Sequence, residues 1–371
     1  MNKKLVAAAL GLAFAAPVFA DSSNVTLYGR IHQAIDHQSS STNPGRDVGG
    51  NIAIEDASSR LGVRGVEDLG GGLSAIFAYE FGVDTDTVSA APLTTRHAYL
   101  GFKGGLGTIV IGSQDGGNDS QAPLYNQAGL IGSPSNQGGP LTTVGGGSNL
   151  VAGAAGNAIL GTNTAITRLQ RTPNSIGYAH KIAGVQINAR HALLGDNDAP
   201  NNTATVEKEN GSRSTEVAAT YNVGALTVGG GFALYDQQGQ DPIGGTDAKN
   251  TVQGVASYNF GGFTLAGLVA QTKLYGNAPV VNDDSNTEFA LSAIVPLAAN
   301  SGVIGTYADS ERNNLGAAAA DVEQVMVAYY YDFSKRTRSY VGFNRLTTEN
   351  KIGARVETEQ DNFTIGLRHN F

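Results

Sequence analysis

The chain of 371 residues contains no cysteine and no tryptophan, and it has only two methionines. The absence of cysteine excludes a disulfide scaffold, a thiolate metal site and a cysteine nucleophile. Charged residues make up 15% of the chain, whereas typical soluble proteins have roughly 25%. The net charge of −8 also argues against a nucleic-acid-binding protein, because such proteins are normally basic.

Long apolar runs are missing as well. Hydrophobic residues make up 41% of the chain and the mean hydropathy is −0.14. A membrane helix needs roughly 20 predominantly apolar residues, and no such stretch follows Asp21, so a bundle of membrane helices is excluded. Glycine is abundant, with 50 residues, about twice its ordinary frequency. This composition does not fit the soluble two-domain enzyme that the length alone would suggest.

Residues 1–20 have the pattern of a cleaved secretory signal peptide. Lys3 and Lys4 form a positive segment, an apolar run covers residues 5–16, and small residues precede a cleavage site after Ala20. The alternative is a buried N-terminal helix. Cleavage would remove two lysines and leave 22 basic against 32 acidic residues, a net charge of −10. An exported chain without cysteine fits a bacterial envelope protein.

Apolar and polar residues alternate with period two along the mature chain, residues 21–371, which we expect to form a single domain. This alternation predicts half-buried β-strands rather than helices. In the first strand, one face carries Val25, Leu27, Gly29, Ile31 and Ile35, and the other carries Thr26, Tyr28, Arg30, His32 and Asp36. Similar windows begin at Glu216 and Thr251, and the last one ends at Phe371.

The predicted strands are joined by connections of two lengths. Short Gly-rich turns fall near residues 69–73, 104–107, 183–185, 224–226, 261–263, 298–302 and 334–337. Long polar connections fall near residues 38–51, 85–94, 115–167, 195–213, 236–248, 275–286, 311–321 and 349–360. Because short turns and long connections alternate, the pattern predicts 16 strands with both chain ends on the short-turn side.

The fold class predicted is all-β: a 16-stranded antiparallel transmembrane β-barrel with short periplasmic turns and long external loops. A closed barrel pairs every backbone amide and carbonyl in lipid without leaving an edge, and 16 strands enclose a lumen too wide for side chains to fill. Aromatic residues near the short turns, such as Tyr258, Phe260, Tyr331 and Phe371, are typical of the rings at membrane interfaces. A soluble β-sandwich is the alternative.

Several segments resemble the Gram-negative general porins. Residues 22–30 are similar to their first strand, residues 58–73 to their second strand and first turn, and residues 96–103 and 107–112 to their fourth and fifth strands. Residues 366–371 are similar to the ending of β-proteobacterial and Neisseria-type members. These matches lie toward the two ends of the mature chain. Its middle is similar to the family in the alternation of short and long connections more than in its amino acids.

The resemblance implies an outer-membrane homotrimer in which each barrel is a channel for passive diffusion of small hydrophilic solutes and ions. It implies contact with outer-membrane lipid and lipopolysaccharide, and an inward-folded third loop that narrows the pore. It also implies that the C-terminal Phe371 is an assembly signal read by the barrel-assembly machinery. No cofactor and no nucleic-acid partner are expected.

The longest connection, residues 115–167, corresponds to that third, constricting loop. Loops of this length without secondary structure are usually functional or disordered. Its acidic residues are Asp115 and Asp119, both at its start, so it is poorer in carboxylates than the family pattern. These two carboxylates alone are weak evidence for a calcium site. Other carboxylates, including Glu349 and Glu357, fall in other long connections.

Arginines are the candidate residues of the pore constriction, because they stay charged at every physiological pH. The basic candidates are Arg30, Arg60, Arg64, Arg96, Arg168 and Arg171; by resemblance, Arg30, Arg60, Arg96 and Arg171 best fit the family's basic wall cluster. Alternation predicts that Arg60 and Arg64 share a face and that Arg96 faces away from His97 and Tyr99. The acidic candidates are Glu80, Asp115 and Asp119, with Glu80 positioned to hold an arginine.

An excess of arginine over loop carboxylate predicts an anion preference. The alternatives are a substrate-specific porin for an organic anion, with the third loop as its binding site, and a non-channel barrel that acts as an enzyme or adhesin. The nearest approach to an acid–base pair is His32 with Asp36 on one face of the first strand, for which a polar pore lining is the simpler interpretation. The six histidines form no HExxH motif, so neither catalysis nor a metal site is expected.

Overall fold

The computed structural model describes residues 24–43, 46–57, 59–85, 93–114, 172–193, 213–236, 248–274, 284–313, 320–350 and 356–371. The strands are β1 (Asn24–Asn43), β2 (Arg46–Asp56), β3 (Arg60–Gly70), β4 (Leu73–Val83), β5 (Leu93–Gly104), β6 (Gly107–Gln114), β7 (Thr172–Ile182), β8 (Val185–Leu193), β9 (Arg213–Val223), β10 (Leu226–Asp236), β11 (Ala248–Asn259), β12 (Thr264–Leu274), β13 (Asp284–Ala298), β14 (Ser301–Asn313), β15 (Ala320–Asp332), β16 (Thr337–Asn350) and β17 (Val356–Asn370). Among these residues, no helix is long and apolar enough to cross a membrane.

The strands form one sheet that closes on itself. Each strand from β3 to β17 pairs antiparallel with its neighbour in sequence, and β1 closes the circle by pairing with β3 on one side and β17 on the other. Because β2 and β3 both lie along β1, they are two segments of one wall strand. The wall is therefore a closed antiparallel barrel of 16 strands, which confirms the predicted fold class.

The second wall strand is interrupted between Asp56 and Arg60, and side chains hold the interruption. The Asp56 carboxylate accepts the Ser59 amide at 3.2 and 3.0 Å and the Thr85 hydroxyl at 2.7 Å. The Ser59 hydroxyl in turn accepts the His32 amide at 3.0 Å. These bonds satisfy backbone groups that the ladder leaves open, as a buried sheet requires.

The long connection expected at residues 38–51 is not a loop throughout. β1 and β2 keep pairing to the rung that joins Thr42 to Arg46, with one irregularity between Gln38 and Ser40. Polar residues with no alternation of their own can continue a ladder when the partner strand is present, because the backbone supplies the bonds. In the connection expected at residues 349–360, the strands likewise stay paired up to Asn350 and Val356. The remaining long connections, including residues 115–167, lie wholly or mostly outside the described residues.

The two faces of the barrel differ as alternation predicts. On β1, Val25, Leu27, Ile31 and Ile35 are 65, 62, 53 and 51% exposed, whereas the alternate residue His32 is fully buried. Outward-facing apolar residues continue around the wall on Val217, Val252, Phe289, Val325 and Ile365. A band of exposed apolar side chains on a closed barrel is the surface that lipid requires.

The outer face changes character at its two ends. At the short-turn end, the edge of one ring meets the face of the other between Tyr258 and Phe260, with centroids 4.7 Å apart, and Phe260 stacks on Phe263 at 4.8 Å. Tyr331 packs edge-to-face on Phe333 at 5.0 Å. At the other end, β14 to β17 carry outward carboxylates above the apolar band: Asp309, Glu311, Glu323, Glu349, Glu357, Glu359 and Asp361. Glu349 and Glu357 were expected in a loop but extend paired strands beyond the band.

The last residue closes the barrel seam. Phe371 and Gly29 exchange both backbone hydrogen bonds at 3.1 Å, and the Phe371 ring lies over Gly29, where a Cβ atom would strike it. The same Cβ would lie 2.8 Å from the carbonyl oxygen of Arg60. A side chain at position 29 is therefore incompatible with this packing of the seam.

We expect Gly29→Ala to destabilise the barrel by about 1–3 kcal/mol, because the Arg60 carbonyl cannot rotate away from the added methyl group. The matched control is Gly254→Ala on β11, where a Cβ would meet only Val269 at 3.8 Å. Urea unfolding in detergent micelles gives the free energy of unfolding for both variants. Equal stabilities would contradict the steric role of Gly29.

Candidate functional site

Five arginines lie on the inner face of neighbouring strands, and we call them the arginine row: Arg338 on β16, Arg368 on β17, Arg30 on β1, Arg60 on β3 and Arg96 on β5. Between Arg60 and Arg96 lies β4, which carries Glu80. Arg338 lies directly opposite Arg368 across β16 and β17, and Arg30 lies directly opposite Arg60 across β1 and β3. Like charges at directly opposed positions are destabilising unless something offsets them.

Carboxylates offset the charge at both ends of the arginine row. Asp332 accepts two hydrogen bonds from Arg338 at 2.6 and 2.8 Å. At the other end, Glu80 lies 2.6 Å from Arg96 Nε and 3.9 Å from Arg60 Nη1. Bidentate and charge-assisted bonds of this kind fix the planes of the guanidinium groups.

The centre of the row is held differently. Arg30 donates from Nε to the amide oxygen of Asn370 at 2.9 Å, and His32 shares a 2.9 Å hydrogen bond between its Nε2 and the Tyr340 hydroxyl. Within the described residues, no carboxylate lies within 4.0 Å of Arg30 or of Arg368. With five arginines and two carboxylates, the row keeps an excess of positive charge.

Arg64 lies apart from the row, closer to the short turns. It shares the inner face with Arg60, since the register places it opposite Thr26 of β1. Its guanidinium lies 5.1 Å from the centre of the Tyr28 ring, a cation–π distance. Tyr28 itself covers Gly62.

The expectation that Arg96 faces away from His97 and Tyr99 is wrong. The register between β4 and β5 shifts after Glu80, so that Glu80 opposes His97 and Phe81 opposes Thr95. Arg96 is thus the residue of β5 that has no paired residue on β4. A β-bulge of this kind turns two successive residues toward one face, and Arg96 reaches Glu80 from the same side as His97.

Four of the predicted constriction residues, Asp115, Asp119, Arg168 and Arg171, lie outside the described residues. The remaining acidic candidate, Glu80, is 5% exposed on the inner face.

Two members of the row, Arg338 and Arg368, were not selected from the sequence. Alternation places Arg368 on the polar face of the last strand. Its position next to β1 comes from the cross-strand register, and the sequence does not reveal it because more than 300 residues separate the two strands. A further buried ion pair joins Arg190 on β8 to Glu216 on β9. The sequence gives little indication of this ion pair, because neither β8 nor β9 alone predicts that Arg190 and Glu216 lie opposite each other.

Away from the row, the inner wall mixes apolar side chains with buried polar ones such as Thr220, Gln253, Thr306 and Gln324. Buried small and aliphatic side chains form one cluster across β9 and β11 to β16: Ala218, Val255, Ala266, Leu268, Ala270, Ala290, Ala308, Val322 and Leu346. The interior is thus asymmetric, with positive charge concentrated on β16, β17, β1, β3 and β5.

The acid–base pair considered for the first strand is engaged in other contacts. The Thr364 hydroxyl donates to Asp36, and His32 contacts Tyr340. In the part of the chain that the structure describes, no three His, Asp or Glu side chains are grouped so as to hold a metal ion.

A model of the Gram-negative porin family matches residues 6–351. The chain belongs to the Gram-negative porin family. This porin therefore resides in the outer membrane.

Named relatives and solved structures agree with the family. The major outer membrane protein P.IB of Neisseria meningitidis serogroup A is 26% identical over 388 residues, covering 100% of both chains. P.IB of Neisseria gonorrhoeae is 34% identical over 119 residues, which cover 30% of this porin and 32% of that relative; this match spans about a third of the relative's length. The anion-selective porin from Comamonas acidovorans has a TM-score of 0.71 at 23% identity, covering 94% of this chain and 100% of that one. This likeness shows the fold.

Glu216→Gln should destabilise the porin by about 3–5 kcal/mol, because it leaves the Arg190 charge buried without its partner. Both side chains of this pair are at most 2% exposed. The matched control is Asp361→Asn, which breaks the half-exposed pair with Arg345 at 2.7 Å and should change the stability by about 1 kcal/mol or less. Urea unfolding in detergent micelles compares the two; similar losses would show that burial does not set the strength of the Arg190 pair.

Proposed function

We propose that this porin is a water-filled, anion-preferring channel for passive diffusion of small hydrophilic solutes and ions. The observation that carries the proposal is the arginine row, in which five inner-face arginines are offset by the two carboxylates Asp332 and Glu80. A channel wall with fixed positive charge raises the local concentration of anions and repels cations.

The magnitude of the effect supports an anion preference. Two unit charges about 4 Å apart interact with roughly 4 kcal/mol at an effective dielectric of 20, which is several times the thermal energy. The outward carboxylates at the long-loop end, such as Glu323 and Glu357, lie on the other side of the wall. Solvent ions screen them within about 8–10 Å.

The proposal includes the processing and assembly of the chain. It comprises cleavage after Ala20, assembly as a homotrimer, contact with lipopolysaccharide, and recognition of Phe371 by the barrel-assembly machinery. It also comprises inward folding of residues 115–167 against the wall. Family membership and the trimer form named for the solved Vibrio cholerae OmpT structure support the trimer. The proposed channel has no enzymatic activity.

Arg60→Ser and Arg96→Ser should each shift the selectivity toward cations, because each substitution removes one positive charge from the inner face. The measurement is the zero-current potential of the channel in a planar bilayer across a KCl gradient. The wild-type channel should give the sign of anion preference, and clear cation preference of the wild type would overturn the proposed function.

Glu80→Gln should shift the same potential the other way, because it removes the carboxylate that offsets Arg60 and Arg96. Arg345→Ser serves as control, since Arg345 is on the outer face and pairs with Asp361. It changes the net charge as Arg60→Ser does but should leave the selectivity unchanged. Equal shifts in Arg345→Ser and Arg60→Ser would mean that net charge, and not the inner wall, determines selectivity.

A further inference from the structure

A recess of about 240 Å³ lies in the wall of the barrel on strands β4 to β8. Its lining includes Ile76, Tyr99, Val110, Asn188 and Arg190, and none of its lining residues belongs to the arginine row. Pockets for drug-sized ligands have volumes of roughly 300–1,000 Å³, so this recess fits a smaller solute. The anion preference proposed above makes no use of it.

The recess faces the interior of the barrel. On β7, Ile176 is 43% exposed on the outer face, so Gly177 and Ala179, which alternate with it, point inward. The register places Gly177 directly opposite Arg190 and Ala179 directly opposite Asn188, and directly opposed residues share a face. Because β7 contributes only a hydrogen atom and a methyl group here, space remains beside the two polar side chains.

These two polar side chains hold buried donors that have no acceptor. Nδ2 of Asn188 and both Nε and Nη1 of Arg190 have no hydrogen-bond partner among the described residues, although the two residues are only 7 and 3% exposed. Gln186 donates to the amide oxygen of Asn188 at 3.4 Å, and Arg190 binds Glu216 through Nη2. Buried donors in native proteins nearly always have a partner, so these atoms call for acceptors from outside the chain.

The charge of the recess selects the class of solute. Glu216 cancels the charge of Arg190 at a contact in which both side chains are at most 2% exposed, and Asn188 is neutral. An anion that approached Arg190 would be repelled by the carboxylate of Glu216, so its charge would bring little net gain. An uncharged acceptor, such as a hydroxyl oxygen, meets no such repulsion.

The side of the recess that faces the donors is apolar. Ile76 on β4, Tyr99 on β5 and Val110 on β6 line it. A sugar ring presents C–H groups on its faces and hydroxyl oxygens around its edge. Its faces therefore match the apolar side chains, and its edge matches the unpaired donors, which is the usual division of a small-molecule site into an apolar lining and a few placed polar groups.

We propose that Asn188 and Arg190, together with this apolar side, form a wall subsite for a small uncharged polyhydroxylated solute such as a monosaccharide. The inference rests on the proposed function as a water-filled channel but not on its anion preference. A solute that binds at one subsite obstructs the ion current in a saturable way, because occupancy reaches a limit as the solute concentration rises.

The test records the KCl conductance of the full-length, purified porin in planar bilayers while D-glucose is added to both sides. Each value is divided by the bulk conductivity of the same solution, which removes the effect of viscosity. The corrected conductance of the wild type should fall to a plateau with a definite half-effect concentration. A corrected conductance that does not change with glucose would overturn the subsite, and the unpaired donors would then be hydrated by lumen water.

Two substitutions act on the donors. Asn188→Leu removes one donor at similar volume and should raise the half-effect concentration about fivefold, the factor for one lost neutral hydrogen bond. The double variant Arg190→Met with Glu216→Leu removes the pair without leaving a buried charge, an exchange that proteins tolerate well, and should raise it roughly tenfold or more. Half-effect concentrations equal to that of the wild type in both variants would overturn the subsite.

A third substitution fills the recess and leaves both donor residues in place. Ala179→Phe should abolish the saturable fall in conductance, and a wild-type response in this variant would contradict binding in the recess. The matched control is Asn344→Leu, the same exchange at a 2% exposed inner-wall residue of β16 outside the recess. It should leave the half-effect concentration unchanged, and a fivefold rise there would show that the effect of Asn188→Leu is not specific.

Salt distinguishes an uncharged solute from an ionic one. The half-effect concentration for glucose should be the same in 0.1 M and 1 M KCl, because screening, whose length falls from about 10 to about 3 Å over this range, does not act on a neutral ligand. A tenfold rise at 1 M KCl would overturn the assignment to uncharged solutes.

The ion current and its zero-current potential separate this inference from the proposed function. An anion-preferring channel without glucose saturation removes the subsite and leaves the proposed function intact. Glucose saturation that depends on Asn188 in a cation-preferring channel removes the anion preference and leaves the subsite.

Discussion

Backbone hydrogen bonding in a solvent without water is the constraint on which the rest of this structure depends. Lipid offers no partner to an amide or a carbonyl, so the sheet must close and leave no edge within the apolar band. The seam between β17 and β1 is completed by the last residue, whose backbone pairs with Gly29. Where the second wall strand breaks, the side chains of Asp56 and Ser59 take over the hydrogen bonds that the ladder lacks.

Closure also sorts every strand into an outer and an inner face, and it brings the two ends of the chain together. The inner face of β1 is therefore flanked by β3 on one side and by β17 on the other. Arg30 thereby faces Arg60 and lies next to Arg368, although the three residues come from opposite ends of the chain. The arginine row is a product of this closure, and its like charges persist because Asp332 and Glu80 hold its two ends.

An uneven interior follows from the same arrangement. One sector of the wall carries the arginines, while in another sector apolar side chains such as Val255 and Leu268 lie among polar ones such as Gln253 and Thr272. Charge on one side of a passage produces a field across it. A solute is then selected by its charge while it keeps most of its water. This is how a wide channel can discriminate between ions without a binding pocket that encloses them.

The alternation of residues such as Val25 and Arg30 determined the strands, their faces and the number of wall strands, because a side-chain period of two needs no knowledge of neighbours. The tertiary structure alone decided which residues meet across strands. Arg368 joined the row through register, and Arg96 turned inward through a bulge that shifts the ladder by one residue. β1 continued past Gln38 because β2 supplied its partners. Register and bulges depend on hydrogen bonds between distant segments, and no local pattern contains them.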